Sequence, residues 1–266
     1  MPEPVGIVGV RFLNARPLLA GLEARLEAPF SYRFATAEPS TCAEQLALGQ
    51  AAAGLVPVGA LPFLPEVHAL PNFGVAARQE VWSVLLVSRV PLERVRTLAA
   101  HTASRSSVAL ARLLLDQRWG ARPRIVPARP PLETMLECAD AAVVIGDPAL
   151  LVHGRTAWLE VDLAGAWVEW TGLPFVFAVW GASRTAPARL DSLFGASLAF
   201  AEEHWDALVP VWAAAHGVRE AETREYLGRT LTYRLGEREH EGLREFLRRA
   251  ADAKVLPLRR EVWLAA

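Results

Sequence analysis

Short apolar runs alternate with stretches of helical period along most of the chain. Residues 6–13 (GIVGVRFL) are rich in β-branched and large apolar side chains and predict a buried strand. Asn14 follows, then Pro17 and the periodic Leu18, Leu19, Leu22 and Leu26. A cap-type residue with a proline in the first turn predicts a helix start. Residues 31–36 predict a second strand, 41–49 a short helix capped by Ser40 or Thr41 and stopped at Gly49, and 54–58 a third strand. Such β-α-β-α-β order is the mark of a mostly parallel sheet covered on both faces.

Residues 81–89 (VWSVLLVSR) form a long apolar run, too rich in valine for an easy helix and followed at once by Val90-Pro91. After this expected strand the alternation restarts. Strands are predicted at 97–100, 124–128, 141–145 and 158–163, with a loop at 102–106 and helices at 107–119, at 131–138 and from Pro148. Residues 175–180 (FVFAVW) predict a second long strand, and 187–253 read as almost wholly helical, broken at Gly217 and Gly236. Chain that leaves one lobe, builds a second and returns is the layout of a two-lobed hinge protein. The two long strands serve as its crossings, 1–84 with 178–266 as the first lobe and 85–177 as the second. One large doubly wound sheet is the competing arrangement.

Composition narrows the chemistry. Hydrophobic residues make up 52% of the 266, and 28 basic against 29 acidic residues give a formal charge of −1. That is core enough to exclude disorder, and it lacks the basic footprint of a nucleic-acid binder. The apolar runs at 51–64 and 173–182 fall short of the roughly 18–20 residues that span a bilayer. The first nine residues carry no basic n-region, and Arg11 and Arg16 interrupt the apolar stretch a signal peptide needs. A cytoplasmic protein is expected. Cys42 and Cys138, far apart, are expected to be buried and reduced, a disulfide or a reactive thiol being the alternatives. Oligomeric state is left open.

The missing motifs are informative. No G-x-x-x-x-G-K-[ST] occurs, and Lys254 is the only lysine. No G-x-G-x-x-G opens the first helix, no G-x-S-x-G is present, and the six histidines show no metal-ligand spacing. No cofactor or metal is expected. What remains are polar residues at strand-to-helix junctions, where open α/β sheets bind ligands and helix starts offer free N–H groups to an anion. Three junctions qualify: Asn14; Ser104-Arg105-Ser106-Ser107; and Gly146-Asp147. Each has a plainer reading. Asn14, Ser106 or Ser107, and Asp147 before Pro148 would each serve as a helix cap, and Arg105 would pair with a surface carboxylate. Ser83, a hydroxyl inside an apolar strand, needs a partner if buried, either a ligand or a backbone carbonyl. These residues alone support a small anionic ligand held between two lobes.

Several longer strings carry a resemblance. Arg11-Phe12-Leu13-Asn14 with Pro17-Leu18, then Gly54-Leu55-Val56-Pro57-Val58 and Ser83-Val84-Leu85-Leu86-Val87-Ser88, resemble the chorismate dehydratases of the futalosine route to menaquinone. So do Ser104-Arg105-Ser106-Ser107-Val108, Asp140-Ala141-Ala142-Val143-Val144-Ile145-Gly146-Asp147 and Trp170-Thr171-Gly172-Leu173-Pro174-Phe175-Val176-Phe177-Ala178. The likeness spans nearly the whole chain. Ser106 stands where threonine is expected, with the hydroxyl kept. The sister dihydroxynaphthoate synthases would show a Ser-Pro-Cys-Pro-Asn-Asp type N-terminus and a catalytic histidine, and neither pattern is present.

The resemblance implies a two-lobed fold of the type II periplasmic-binding-protein kind, each lobe a mixed, mostly parallel sheet flanked by helices, with a helical C-terminus. It implies a cofactor-independent hydro-lyase that converts chorismate to 3-[(1-carboxyvinyl)oxy]benzoate and water. The substrate's own enolpyruvyl carboxylate would take the proton, with Asn14 orienting it or stabilising developing charge. Asp147 as general base is the competing expectation. Ser83, Ser106, Ser107, Gly146 and Asp147 are the expected substrate contacts. A non-catalytic binding protein for a small carboxylate is the alternative from another class.

Overall fold

Strand and helix alternate as expected through the first third of the chain. The computed structural model describes residues 3–101, 104–184 and 186–258. It opens with β1 (Val5–Val10), a 3-10 turn at Leu13–Ala15, α1 (Arg16–Glu23), β2 (Tyr32–Ala37), α2 (Pro39–Ala47) and β3 (Ala53–Pro57). Next comes β4 (Val67–Ala77), an eleven-residue strand that the sequence pattern does not predict. Its pattern is hidden by Pro71, which sits where the pairing register shifts and where a strand tolerates proline.

The second half of the alternation runs β5 (Val84–Ser88), β6 (Thr97–His101), α3 (Arg105–Trp119), β7 (Arg124–Ala128), α4 (Leu132–Glu137), β8 (Ala141–Ile145), α5 (Asp147–Val152), β9 (Leu159–Asp162) and α6 (Leu163–Thr171). Residues 102 and 103 of the loop expected at 102–106 lie outside the described residues; α3 begins at Arg105, two residues before its expected start. The chain then returns through β10 (Phe175–Ser183) to α7 (Leu190–Glu203), α8 (Trp205–His216), α9 (Glu220–Glu225), a π-helical turn at Tyr226–Thr230, β11 (Thr232–Arg234) and α10 (Glu237–Asp252). Neither α6 nor β11 is legible in the apolar pattern.

The strands form two sheets, ordered β11-β4-β10-β3-β1-β2 and β7-β6-β8-β5-β9. The first takes strands from both ends of the chain, the second only those between, as a two-lobed protein requires. A single doubly wound sheet is thereby excluded. Both sheets are mixed, as expected, but antiparallel pairings outnumber parallel ones. β1 pairs in parallel with β2 and β3, and β6 with β7 and β8, but β10, β4, β11, β5 and β9 all enter antiparallel. The misreading has a physical cause: an apolar run buried on both faces looks the same in either direction.

The long strands are not the crossings. β5 pairs only within the second sheet, and β10 only within the first, so the expected boundary at 177/178 falls inside β10. The passages between sheets are residues 78–83 and the segment of α6. One carboxylate holds both. Asp162, the N-cap of α6, accepts the Gly165 N–H at 2.9 Å on one oxygen, and the N–H groups of Val81 and Trp82 at 2.9 and 2.7 Å on the other. Burial pushes the Asp162 carboxyl up, against the pull of those three amides. Trp82 is held in the left-handed region, φ 63°, which costs a non-glycine residue about 1–2 kcal/mol.

Burial follows the pleat. Along β5, Leu85 and Val87 pack with α4 and α5, while Val84 and Leu86 join the main core shared by the two lobes. Both thiols are free; Cys42 is buried, but Cys138 is exposed, against expectation, because it follows the last turn of α4 at the rim.

Candidate functional site

The carboxyl ends of β1, β6 and β8 converge, and each leads directly into one of the three expected junctions. Between them lies a cleft lined by Phe12 and Asn14 on one side and by Ser104, Ser106, Ser107 and Gly146 on the other. Its cavity is about 50 Å³, far below the roughly 300–1,000 Å³ of an ordinary ligand pocket. The lobes stand closed. Ser83 and Asp147 are not among the lining residues; they sit behind the wall.

Asn14 is not a helix cap. It lies within the 3-10 turn, half-buried, with its side-chain amide close to the hydroxyl of Tyr226. That hydroxyl donates to Ser83 Oγ at 2.6 Å. Ser83 is fully buried, so the partner it needs is a phenol from the C-terminal helices. Burial pushes the Tyr226 phenol well up and the Asp147 and Asp162 carboxylates push it further, against its bond to Ser83 and the pull of the neighbouring Asn14 amide. Tyr226 therefore stays a neutral donor and acceptor. Trp82 stacks on it, ring centres 6.4 Å apart, and on His153 at 5.7 Å.

The serine corner divides its labour. Ser104, not Ser106 or Ser107, caps α3: its Oγ accepts the Ser107 N–H at 3.2 Å. Ser106 is buried, and its Oγ accepts the Gly59 N–H at 3.0 Å and donates to the Phe177 carbonyl at 3.1 Å, tying α3 to the first lobe. Only Ser107 lines the cleft with a hydroxyl that has no partner among the described residues. Arg105 has no carboxylate partner among the described residues; its guanidinium lies over the Phe63 ring, 4.7 Å from the centre. A similar shift occurs at α2, which is capped by Glu38 with Pro39 at its first position, not by Ser40 or Thr41.

At the third junction Gly146 is the N-cap of α5 and Asp147 its first residue. Gly146 has φ 65°, and a Cβ there would meet the Phe12 ring at 2.9 Å, so only glycine allows this approach. Asp147 uses both carboxylate oxygens. Oδ1 accepts the Leu13 N–H at 2.9 Å, and Oδ2 lies 2.7 Å from His216 Nδ1 at the end of α8. A histidine thus reaches a junction where the sequence shows none. Neither His216 nor Tyr226 has a spacing signal, since they are 69 and 143 residues from the partners they touch.

Among the described residues no three His, Cys, Asp or Glu side chains come together as a metal site, and no helix is long and apolar enough to cross a membrane. Residues 5–252 match the menaquinone biosynthesis family. The chain belongs to that family. A chorismate dehydratase of Thermus thermophilus is 34% identical over 194 residues, 66% of this chain and 69% of that protein.

Among solved structures, protein AF1704 of Archaeoglobus fulgidus has a TM-score of 0.77 at 14% identity, over 95% of this chain and 98% of its own. The alkanesulfonate-binding protein SsuA of Xanthomonas axonopodis pv. citri, bound to MOPS, gives 0.71 at 14%, over 98% and 96%. The periplasmic aliphatic sulphonate binding protein SsuA of Escherichia coli gives 0.61 at 16%, over 100% and 95%. This member of the menaquinone biosynthesis family therefore has the two-lobed periplasmic-binding-protein-like fold with a helical C-terminus.

Proposed function

We propose that this member of the menaquinone biosynthesis family is a hydro-lyase that dehydrates chorismate to 3-[(1-carboxyvinyl)oxy]benzoate. The observation that carries the reading is the placement of Asn14. It stands in an interlobe cleft beside the amide-rich starts of α3 and α5, and among the described residues no histidine or glutamate lines that cleft. The 34% identical chorismate dehydratase supports the same substrate.

In the proposed reaction the ring loses its C4 hydroxyl and its C3 proton and becomes aromatic, so the step is strongly downhill. The enolpyruvyl carboxylate of the substrate takes the proton. Asn14, beside Tyr226, orients that carboxylate, while Ser107 and the first amides of α3 receive the other. Ser83 acts through Tyr226 and Gly146 by letting the backbone approach; Ser106 shapes the corner. Asp147 is a poor candidate for the base, because both of its oxygens already accept protein donors. Orientation of this kind supplies at most about 7–11 kcal/mol of barrier reduction.

Incubation with chorismate, followed by chromatographic detection of the aromatic product, tests the reading. Asn14→Ala is expected to abolish turnover while chorismate still binds by calorimetry. Tight binding of chorismate by the unaltered protein without product would assign it to the solute-binding class instead.

A further inference from the structure

We infer that His216 is a positioning residue for the proposed reaction, acting on Asn14 through Asp147. The inference rests on the dehydratase reading for its kinetic consequence, but its geometry stands alone. His216 closes α8 in the first lobe and lies outside the cleft lining. Its Nδ1 is 2.7 Å from Asp147 Oδ2, and a carboxylate only accepts, so Nδ1–H is the donor. The other Asp147 oxygen accepts the N–H of Leu13, the residue before Asn14.

Two hydrogen bonds therefore connect His216 to the backbone of the turn that carries the substrate-orienting amide. Asp147 belongs to α5 in the second lobe, while His216 and Leu13 belong to the first. The carboxylate is thus clamped from two sides of the same lobe. Removing His216 leaves it one anchor and lets it rotate away from Leu13. The side chains are mostly enclosed, with His216 13% and Asp147 22% exposed, so water competes poorly for the pair. No other ionisable side chain of the first lobe hydrogen-bonds Asp147 among the described residues.

The test uses three variants of the full chain. His216→Ala removes the donor. His216→Asn keeps one, because the asparagine amide nitrogen, like Nδ1, is bonded to Cγ. Asp147→Ala removes the relay. Expected for His216→Ala is a fall in kcat of about 10–100-fold with KM changed less than about twofold, the size of a small misplacement of a reacting group. His216→Asn should regain most of the loss. The His216→Ala, Asp147→Ala double variant should be no slower than Asp147→Ala alone.

Hydrogen exchange at the Leu13 amide, followed by NMR without any substrate, should quicken about tenfold in His216→Ala and return in His216→Asn. Unchanged exchange at Leu13, a loss confined to KM, an additive double variant or failure of the asparagine rescue would each overturn the assignment. Should the unaltered protein leave chorismate unconverted, the dehydratase reading falls. The Leu13 exchange then still decides whether His216 holds the turn.

Discussion

The two serines that open α3 look interchangeable in sequence, yet their surroundings predict opposite phenotypes. Ser106 Oγ is fully committed: it accepts from Gly59 N–H and donates to the Phe177 carbonyl, in a position 2% exposed. Ser106→Ala leaves a buried N–H and a buried carbonyl unpaired. Each orphaned group costs about 1–3 kcal/mol, and separation of the lobes admits some water, so the net loss is about 2–4 kcal/mol. For a chain of this size, 1 kcal/mol lowers Tm by about 2–4 °C, so differential scanning calorimetry should show a drop of roughly 4–16 °C. Ser107 contributes its amide to the Ser104 cap, but its hydroxyl hydrogen-bonds no described protein group. Ser107→Ala should leave Tm within about 1 °C and lower kcat/KM on chorismate about 10–100-fold, the worth of one hydrogen bond to a charged group. A Ser106→Ala protein that melts with the unaltered one, or a Ser107→Ala protein with full kcat/KM, would refute this division.

Three other outcomes are expected. Tyr226→Phe strips the buried Ser83 hydroxyl of its partner and removes the phenol beside the Asn14 amide, so kcat should fall at least about tenfold; steady-state kinetics that match the unaltered enzyme would remove the phenol from the site. Gly59→Ala puts a Cβ 2.8 Å from the Ser106 nitrogen and 2.9 Å from the Arg105 carbonyl carbon, both backbone, so the lobes must part; small-angle scattering should show a larger radius of gyration, and an unaltered curve would contradict the closed contact. Glu245 is held down at about 2 by its bonds to Arg248 and then Arg249, against some desolvation. Its folded value is depressed, so its contribution is present above the unfolded value near 4.5 and is lost as pH falls toward 2. Glu245→Gln should lower stability by about 1 kcal/mol at pH 7, solvent screening included, and the urea midpoints of the two proteins should converge near pH 2.

The alternating architecture was readable because β-branched runs, proline-led helix starts and glycine stops agree with one another. Gly120, for example, ends α3 in the left-handed conformation its position in the pattern suggests. Strand direction was not readable in β5 and β10, whose buried runs lack polarity. β4 escaped because Pro71-Asn72 breaks its period at a bulge, and β11 because three residues among helices carry no period at all. All three junctions were legible, since polar residues at strand ends announce themselves locally. The roles of individual hydroxyls were not. Whether a serine faces ligand or backbone depends on Gly59, Phe177 and Tyr226, which only the folded chain brings near. His216 was invisible for the same reason.

The paired grip of Asp162 has a mechanical consequence. Outgoing chain at Val81 and Trp82 is pinned to one oxygen of this carboxylate and returning chain at Gly165 to the other. A swing of one half against the other therefore turns like a door on one pin, since the two tethers cannot slide independently.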